Sequence, residues 1–297
     1  MGKFYEEIPD DPKLLQWISE QKLYHVATAP LNGGHVNVSP KGQDSFKIVN
    51  RKACWYLDLT GSGNETISHL YEPGNGRLTI LFEAFEGPPR ILRLFGKGRV
   101  IERGTKEFDD LMNPEYTHPQ ADTSIQGFPT PELLPGARAI IWLDITRVGT
   151  SCGYAVPFMK FESHRNTLND WAGKREKIDE ETGTGDLQVA NILPPQKGLK
   201  YYWVSTNSWS IDGLPGMHQV TRLATSALIS DTMSGAGLPA GMVSRRAASV
   251  GWVVAWVFGL LLGTVLYALL DKGTGGVLRG MTLHLPANAR SLLDFTK

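Results

Sequence analysis

The sequence predicts a mainly β, α+β domain: antiparallel strands closing as a barrel, helices at its periphery, and one transmembrane helix close to the C-terminus. Three observations carry this. Between Tyr24 and Gly149, six short runs rich in Val, Ile, Leu and aromatic residues follow one another with few helical patterns between them. That spacing argues for antiparallel strands in a barrel rather than a parallel α/β sheet. Asn32-Gly33-Gly34, between the first two runs, is a hairpin turn signal. Ala247–Leu270 is uncharged and apolar over about 24 residues, where a span takes about 20 at 1.5 Å each.

The elements follow in order. Asp10–Lys22 reads as a helix, with Asp10 or Asp11 as cap, Pro12 in its first turn, and Leu14, Leu15, Trp17 and Ile18 as its apolar stripe. The strands are Tyr24–Pro30, His35–Ser39, Ala53–Leu59, Arg77–Phe85, Ile91–Ile101 and Ala137–Gly149. A short helix starts near Asn64, another covers Lys106–Met112 ahead of a Pro-rich loop, and a charged one covers Lys160–Glu181. Thr182–Lys197 reads as a linker, Asn207–Gly216 as a turn-dense segment, and Met217–Arg246, rich in Ser, Ala, Gly and Thr, as a tether. The predicted organisation is a domain over 1–181, a linker with the turn-dense segment over 182–246, the span over 247–270, and a short tail over 271–297.

Trp252, Trp256 and Tyr267 lie toward the ends of the span, where aromatic rings favour the interface. Arg245 and Arg246 flank one side; Asp271 and Lys272, with Arg279 further out, flank the other. The slight Lys/Arg bias favours a cytosolic N-terminal side. The opening residues have no apolar h-region and carry Glu6, Glu7, Asp10 and Asp11, unlike a signal peptide. The expectation is a single-pass membrane protein whose soluble domain faces the cytosol and meets lipid only through residues 247–270. Gly259 and Gly263 form a GxxxG pattern that packs helices together in other membranes.

Lys+Arg and Asp+Glu are 30 each, for a formal net charge of zero. That balance, with no basic run, excludes a general nucleic-acid binder. The two cysteines, Cys54 and Cys152, are too few for a secreted disulfide scaffold and too far apart for a structural zinc site. The histidines are scattered, without an HExxH or a paired-carboxylate pattern, so no metal is expected.

Two segments point to ligand chemistry. In Tyr56–Leu70 a strand runs into a loop, Thr60-Gly61-Ser62-Gly63-Asn64, and then a short helix. Ser62 or Asn64 can cap that helix, and its free N–H groups with the glycines suit an anion, although an ordinary strand-to-helix turn explains the same residues. In Val36–Gly42 a strand ends at Ser39 and Pro40, and Lys41 places a cation there that meets a phosphate or stays solvated. Asp212 reads as a turn-former, and Trp203 and Trp209 as packing residues that alternatively cover a ring or a partner.

Taken together, VATAPLNGGHVNVSPKG, YLDLTGSGNETISHL, PPRILRLFGKGRVIE and TSCGYAVPF, from about Lys13 to Trp171, with SIDGLPG beyond, resemble the pyridoxamine 5′-phosphate oxidase-like family of flavin-binding split barrels, in particular its fungal branch. The resemblance implies a six-stranded Greek-key split barrel, a homodimer, and FMN in a groove between subunits. It implies that the ring is flanked by Asn37, Val38, Ser39 and Pro40, and the phosphate by Lys41 or Lys47 and by Thr60, Gly61, Ser62, Gly63, Asn64 and Thr66, with Arg93 a further candidate. Many members carry an Arg-Lys pair where this chain has Glu65-Thr66. An acid there repels phosphate unless it points away. The basic C-terminal strand by which the vitamin B6 oxidases hold substrate is not recognisable, so that activity is not expected. Two readings follow: an FMN-binding, oxidoreductase-like protein acting on a small-molecule substrate, with hydride chemistry supplied by the flavin, or a non-catalytic ligand-binding or interaction dimer.

Overall fold

Two long strands organise the chain. β7 (Ile91–Glu102) and β8 (Ala137–Ser151) pair antiparallel along their whole lengths, with Leu94 opposite Val148 and Ile101 opposite Ile140. A bulge interrupts the register at Phe95/Gly96. A Cβ at Gly96 would overlap the carbonyl oxygen of Asp144, so only glycine lets the strands cross this point. The computed structural model describes residues 2–183 and 194–221.

Within these, the sheet is antiparallel and eight-stranded, in the order β3-β2-β6-β7-β8-β5-β4, with β1 on β8. The other strands are β1 (Lys3–Tyr5), β2 (Tyr24–Thr28), β3 (Asn37–Lys41), β4 (Phe46–Asn50), β5 (Ala53–Leu59) and β6 (Arg77–Glu83). The helices are α1 (Pro12–Glu20), α2 (Glu65–Tyr71), α3 (Lys106–Met112), α4 (Thr167–Glu181) and α5 (Leu199–Thr206). The chain is thus mainly β with peripheral helices. α1 starts on an Asp11 cap that accepts from Lys13 N at 3.0 Å, with Pro12 in its first turn. It buries Leu14 and Ile18, four residues apart, each worth about 1.5–3 kcal/mol on burial.

Burial divides the sheet. In β2, β6 and the first part of β7 every second residue is buried, which marks one covered face. Tyr24, Val26, Ile80, Phe82, Leu92 and Leu94 pack there with Leu14, Ile18, Ile67 and Trp203 from the helices. In β5 and the first half of β8 the burial is continuous, so both faces are covered. The second face holds Trp55, Leu57, Ile140 and Trp142 against Phe108 and Leu111 of α3.

Sequence reasoning differs from this in four places. It predicts six strands, and the described residues hold eight. β1 is fully exposed and exists only by pairing with β8; β4 contains Lys47 and Asn50 and lacks a clean alternation. α5, LKYYWVST, has the aromatic and β-branched content of a strand, but burial of Leu199, Trp203 and Val204 on one helical side overrides that propensity. The predicted Lys160–Glu181 helix begins only at Thr167, and residues 160–166 are irregular and mostly exposed. Residues 199–220 contribute Leu199, Trp203, Val204, Met217 and Val220 to the first core. No helix among the described residues is long and apolar enough to cross a membrane. The predicted span 247–270, most of the tether and the tail lie outside the described residues.

Candidate functional site

The site residues sit at the β3 end of the sheet, and β3's alternation sorts them. Val38 and Pro40 point outward and are exposed; Asn37, Ser39 and Lys41 point inward and are half-buried. Across the sheet, Pro40 is level with His25, His25 with Leu81, Leu81 with Arg93, Arg93 with Gly149, and Gly149 with Phe4. Arg93 therefore shares the outer face with Val38 and Pro40 and is remote from the inward residues. Val36 at 74 %, Val38 at 60 % and Phe4 at 61 % exposure stand out on this face, beside Arg93 and the half-buried His25–Glu83 pair.

On the inner side β3 meets α2. Asn37 Nδ2 faces Thr66 Oγ1 and Ser39 Oγ at 3.1 Å each, and Thr28 Oγ1 at 3.4 Å. Thr28 Oγ1 lies 2.9 Å from Nδ1 of the buried His69. Burial lowers the His69 pKa and favours the neutral ring. Asn37 thus joins strand 37–41 to loop 60–66 through Thr66.

The cations are committed. Lys41 Nζ donates to Asp58 Oδ1 at 2.6 Å, and Arg138 Nε to Asp58 Oδ2 at 2.8 Å. Asp58 is fully buried; burial alone would raise its pKa, but the Lys41 and Arg138 charges outweigh that and hold the carboxyl below its usual range. Arg138 Nη1 also donates to Gly63 O at 3.0 Å and Asn207 Oδ1 at 2.9 Å, and Asn207 Nδ2 donates to Gly61 O at 3.1 Å. Lys47 lies elsewhere, on β4, donating to Thr130 Oγ1 at 2.6 Å with its pKa lowered by burial.

The loop is closed on itself. Thr60, fully buried, donates through N and Oγ1 to Gly136 O at 2.8 and 2.6 Å and accepts from Trp203 Nε1 at 2.8 Å. Ser62 is exposed. Asn64 occupies the cap position of α2, but its side chain does not cap: Nδ2 donates to Ser68 Oγ at 2.9 Å. The capping acceptor is Glu65, whose Oε2 takes Asn64 N at 2.8 Å and whose Oε1 takes Ile211 N at 3.2 Å. A Cβ at Gly63 would run into Glu65 Oε2, so glycine here makes room for the carboxylate. Residues 207–216 strap this region down. Asp212 accepts from His35 N at 2.8 Å and pairs with His35 Nδ1 at 2.7 Å, and the His35 backbone and ring bonds hold its pKa low.

Asp58, Arg138, Asn207 and the His35–Asp212 pair were not singled out as site residues from the sequence. A signal existed for two of them: Asp58 in ACWYLDL and Arg138 in ARAIIWLD are charges inside runs apolar enough to be buried on both faces, and such charges demand each other. Cys152 is exposed, while Cys54 is buried.

The described residues thus form an antiparallel sheet with a strand-to-helix glycine loop and a Lys41–Asp58–Arg138 triad that ties β3, β5 and β8 together. The relationship is specific at the sequence level. The chain is 36% identical over 226 residues to the pyridoxamine 5′-phosphate oxidase family protein ustO of Aspergillus flavus, covering 75% of this chain and 80% of that protein. The chain therefore belongs to the pyridoxamine 5′-phosphate oxidase family. No family model matches it. Among solved structures, similarity extends to a putative pyridoxamine 5′-phosphate oxidase from Corynebacterium glutamicum (12% identity, TM-score 0.32, covering 50% of this chain and 97% of that one) and the FAD binding protein from Mycobacterium smegmatis (11%, 0.31, 50% and 97%). HupZ of Group A Streptococcus is similar at 18% identity and a TM-score of 0.30, over 46% of this chain and 90% of that one.

Proposed function

We propose that this chain is a flavin-binding, oxidoreductase-like homodimer of split barrels, with FMN as the reference ligand and a small molecule as substrate. The observation that carries this reading is the outer face of β3, where Val38 and Pro40 stand exposed, with Arg93 level with Pro40 across β2 and β6. A second copy of the chain is the partner that covers such a face by self-complementarity. Val38 and Pro40 would hold the flavin ring, and Gly61 and Ser62 would hold its polar chain. Flavin supplies hydride transfer when bound; the chain's own residues position it and exclude water. The phosphate of FMN does not fit at Thr60–Thr66 as these side chains stand. Lys41 is neutralised by Asp58, and the Glu65 carboxylate stands beside the start of α2, bonded to Asn64 N and Ile211 N.

That closure favours a second reading, a dimer that holds its ligand without turning it over. Titration of the full-length chain in detergent, followed by flavin absorbance and fluorescence, tests the common core of both. Saturable binding lost in Val38→Asp is the expected result; a folded dimer that binds no flavin refutes flavin binding. Oxidation or reduction of the bound flavin by candidate small molecules then separates the two. Residues 247–270 anchor the dimer with the domain on the cytosolic side. Resistance to alkaline extraction, and protease access to the domain in sealed membranes, are the expected outcomes.

A further inference from the structure

The glycine loop before α2 carries the sequence marks of an anion site, yet its anion is already present and belongs to the chain. The Glu65 carboxylate accepts one backbone N–H from its own loop, at Asn64, and one from the strap, at Ile211. Gly63 keeps the space that this carboxylate occupies. The strap is fixed over it independently: Asn207 bonds the loop at Gly61, and Asp212 holds His35 by two bonds. The charges around the loop do not invite a dianion. Asp58, Glu65 and Asp212 supply three carboxylates, against the two cations of Lys41 and Arg138, both spent on Asp58.

From this arrangement we infer that Glu65 is a specificity-determining residue that stands in for a ligand phosphate, so that the site selects flavins with a neutral tail over flavins with a terminal phosphate. The inference rests on the flavin-binding reading above and deepens it. An unphosphorylated ribityl chain offers hydroxyls, which bond to the backbone of Gly61 and Ser62 and to the Ser62 hydroxyl without meeting the Glu65 charge. A phosphate has to displace Glu65 from Asn64 and Ile211 or remain beside it, and both cost affinity.

The test is a fluorescence titration of the full-length chain in detergent with riboflavin and with FMN, for wild type, Glu65→Gln and Glu65→Asp. Wild type is expected to bind riboflavin at least as tightly as FMN. Glu65→Gln keeps one acceptor oxygen, for Asn64 or Ile211, and loses the charge. It should bind FMN about tenfold more tightly, the scale of removing one nearby like charge, while riboflavin changes less than about threefold. Glu65→Asp, still charged, should gain nothing, and the unchanged riboflavin affinity reports an intact fold. Wild type preferring FMN by tenfold, or Glu65→Gln leaving the preference unmoved, overturns the inference and leaves flavin binding standing. No binding of either flavin by any of the three proteins overturns both.

Discussion

The two halves of the sheet obey different rules. Around β5 and β8 both faces are packed, and even the charges are locked: Asp58 takes Lys41 and Arg138 on its two oxygens. Around β3, β2, β6 and β7 only one face is packed, and the other carries Val36, Val38 and Phe4 in the open. The closed half is a scaffold whose sequence is constrained at every residue. The open half is constrained at every second residue, which leaves the alternate positions free to serve a ligand or a partner.

Substitutions in the two halves should separate accordingly, and the largest effect lies in the closed one. Asp58→Ala leaves two buried cations unpaired and should destabilise by about 3–5 kcal/mol in chemical denaturation. Because the Asp58 pKa is lower folded than unfolded, its contribution is complete above the unfolded carboxylate value of about 3.9 and is lost as the pH falls below it. The acid limb of the stability–pH curve should therefore be flatter in Asp58→Ala. Gly96→Ala forces a Cβ against Asp144 O at the bulge where the halves meet; a loss of about 1–3 kcal/mol or more in the same assay is expected. His35→Ala removes the ring bond to Asp212 and keeps the backbone one; it should cost under about 1 kcal/mol while raising hydrogen exchange in residues 207–216. Val38→Asp, on the open face, should stay within about 0.5 kcal/mol of wild type in the subunit's own stability and act on association and flavin binding. If Val38→Asp unfolds the subunit as Asp58→Ala does, the two halves are not different in kind.

The closed half was the more legible in its elements and the less legible in its site. Long apolar runs at Ala53–Leu59 and Ala137–Gly149 announce strands, and α3 is found at Lys106–Met112 as its pattern predicts. The Asp58–Arg138 pair went unread because a pairing across strands depends on register, which periodicity alone does not give. Asn37 of β3 and Thr66 of α2 join strand 37–41 to the loop that follows β5. The contacts that decide the loop's chemistry come from Ile211 and Asp212, far along the chain, and no local signal marks them. α5 was missed for the converse reason: tertiary burial, not propensity, makes it a helix.

The claim that the open face is the association surface is tested most directly by the mass of the full-length chain in detergent, corrected for bound detergent by light scattering. The account predicts twice the 32.7 kDa of one chain for wild type and a single chain for Val38→Asp. A wild-type monomer, or a Val38→Asp protein that remains a dimer, would contradict it.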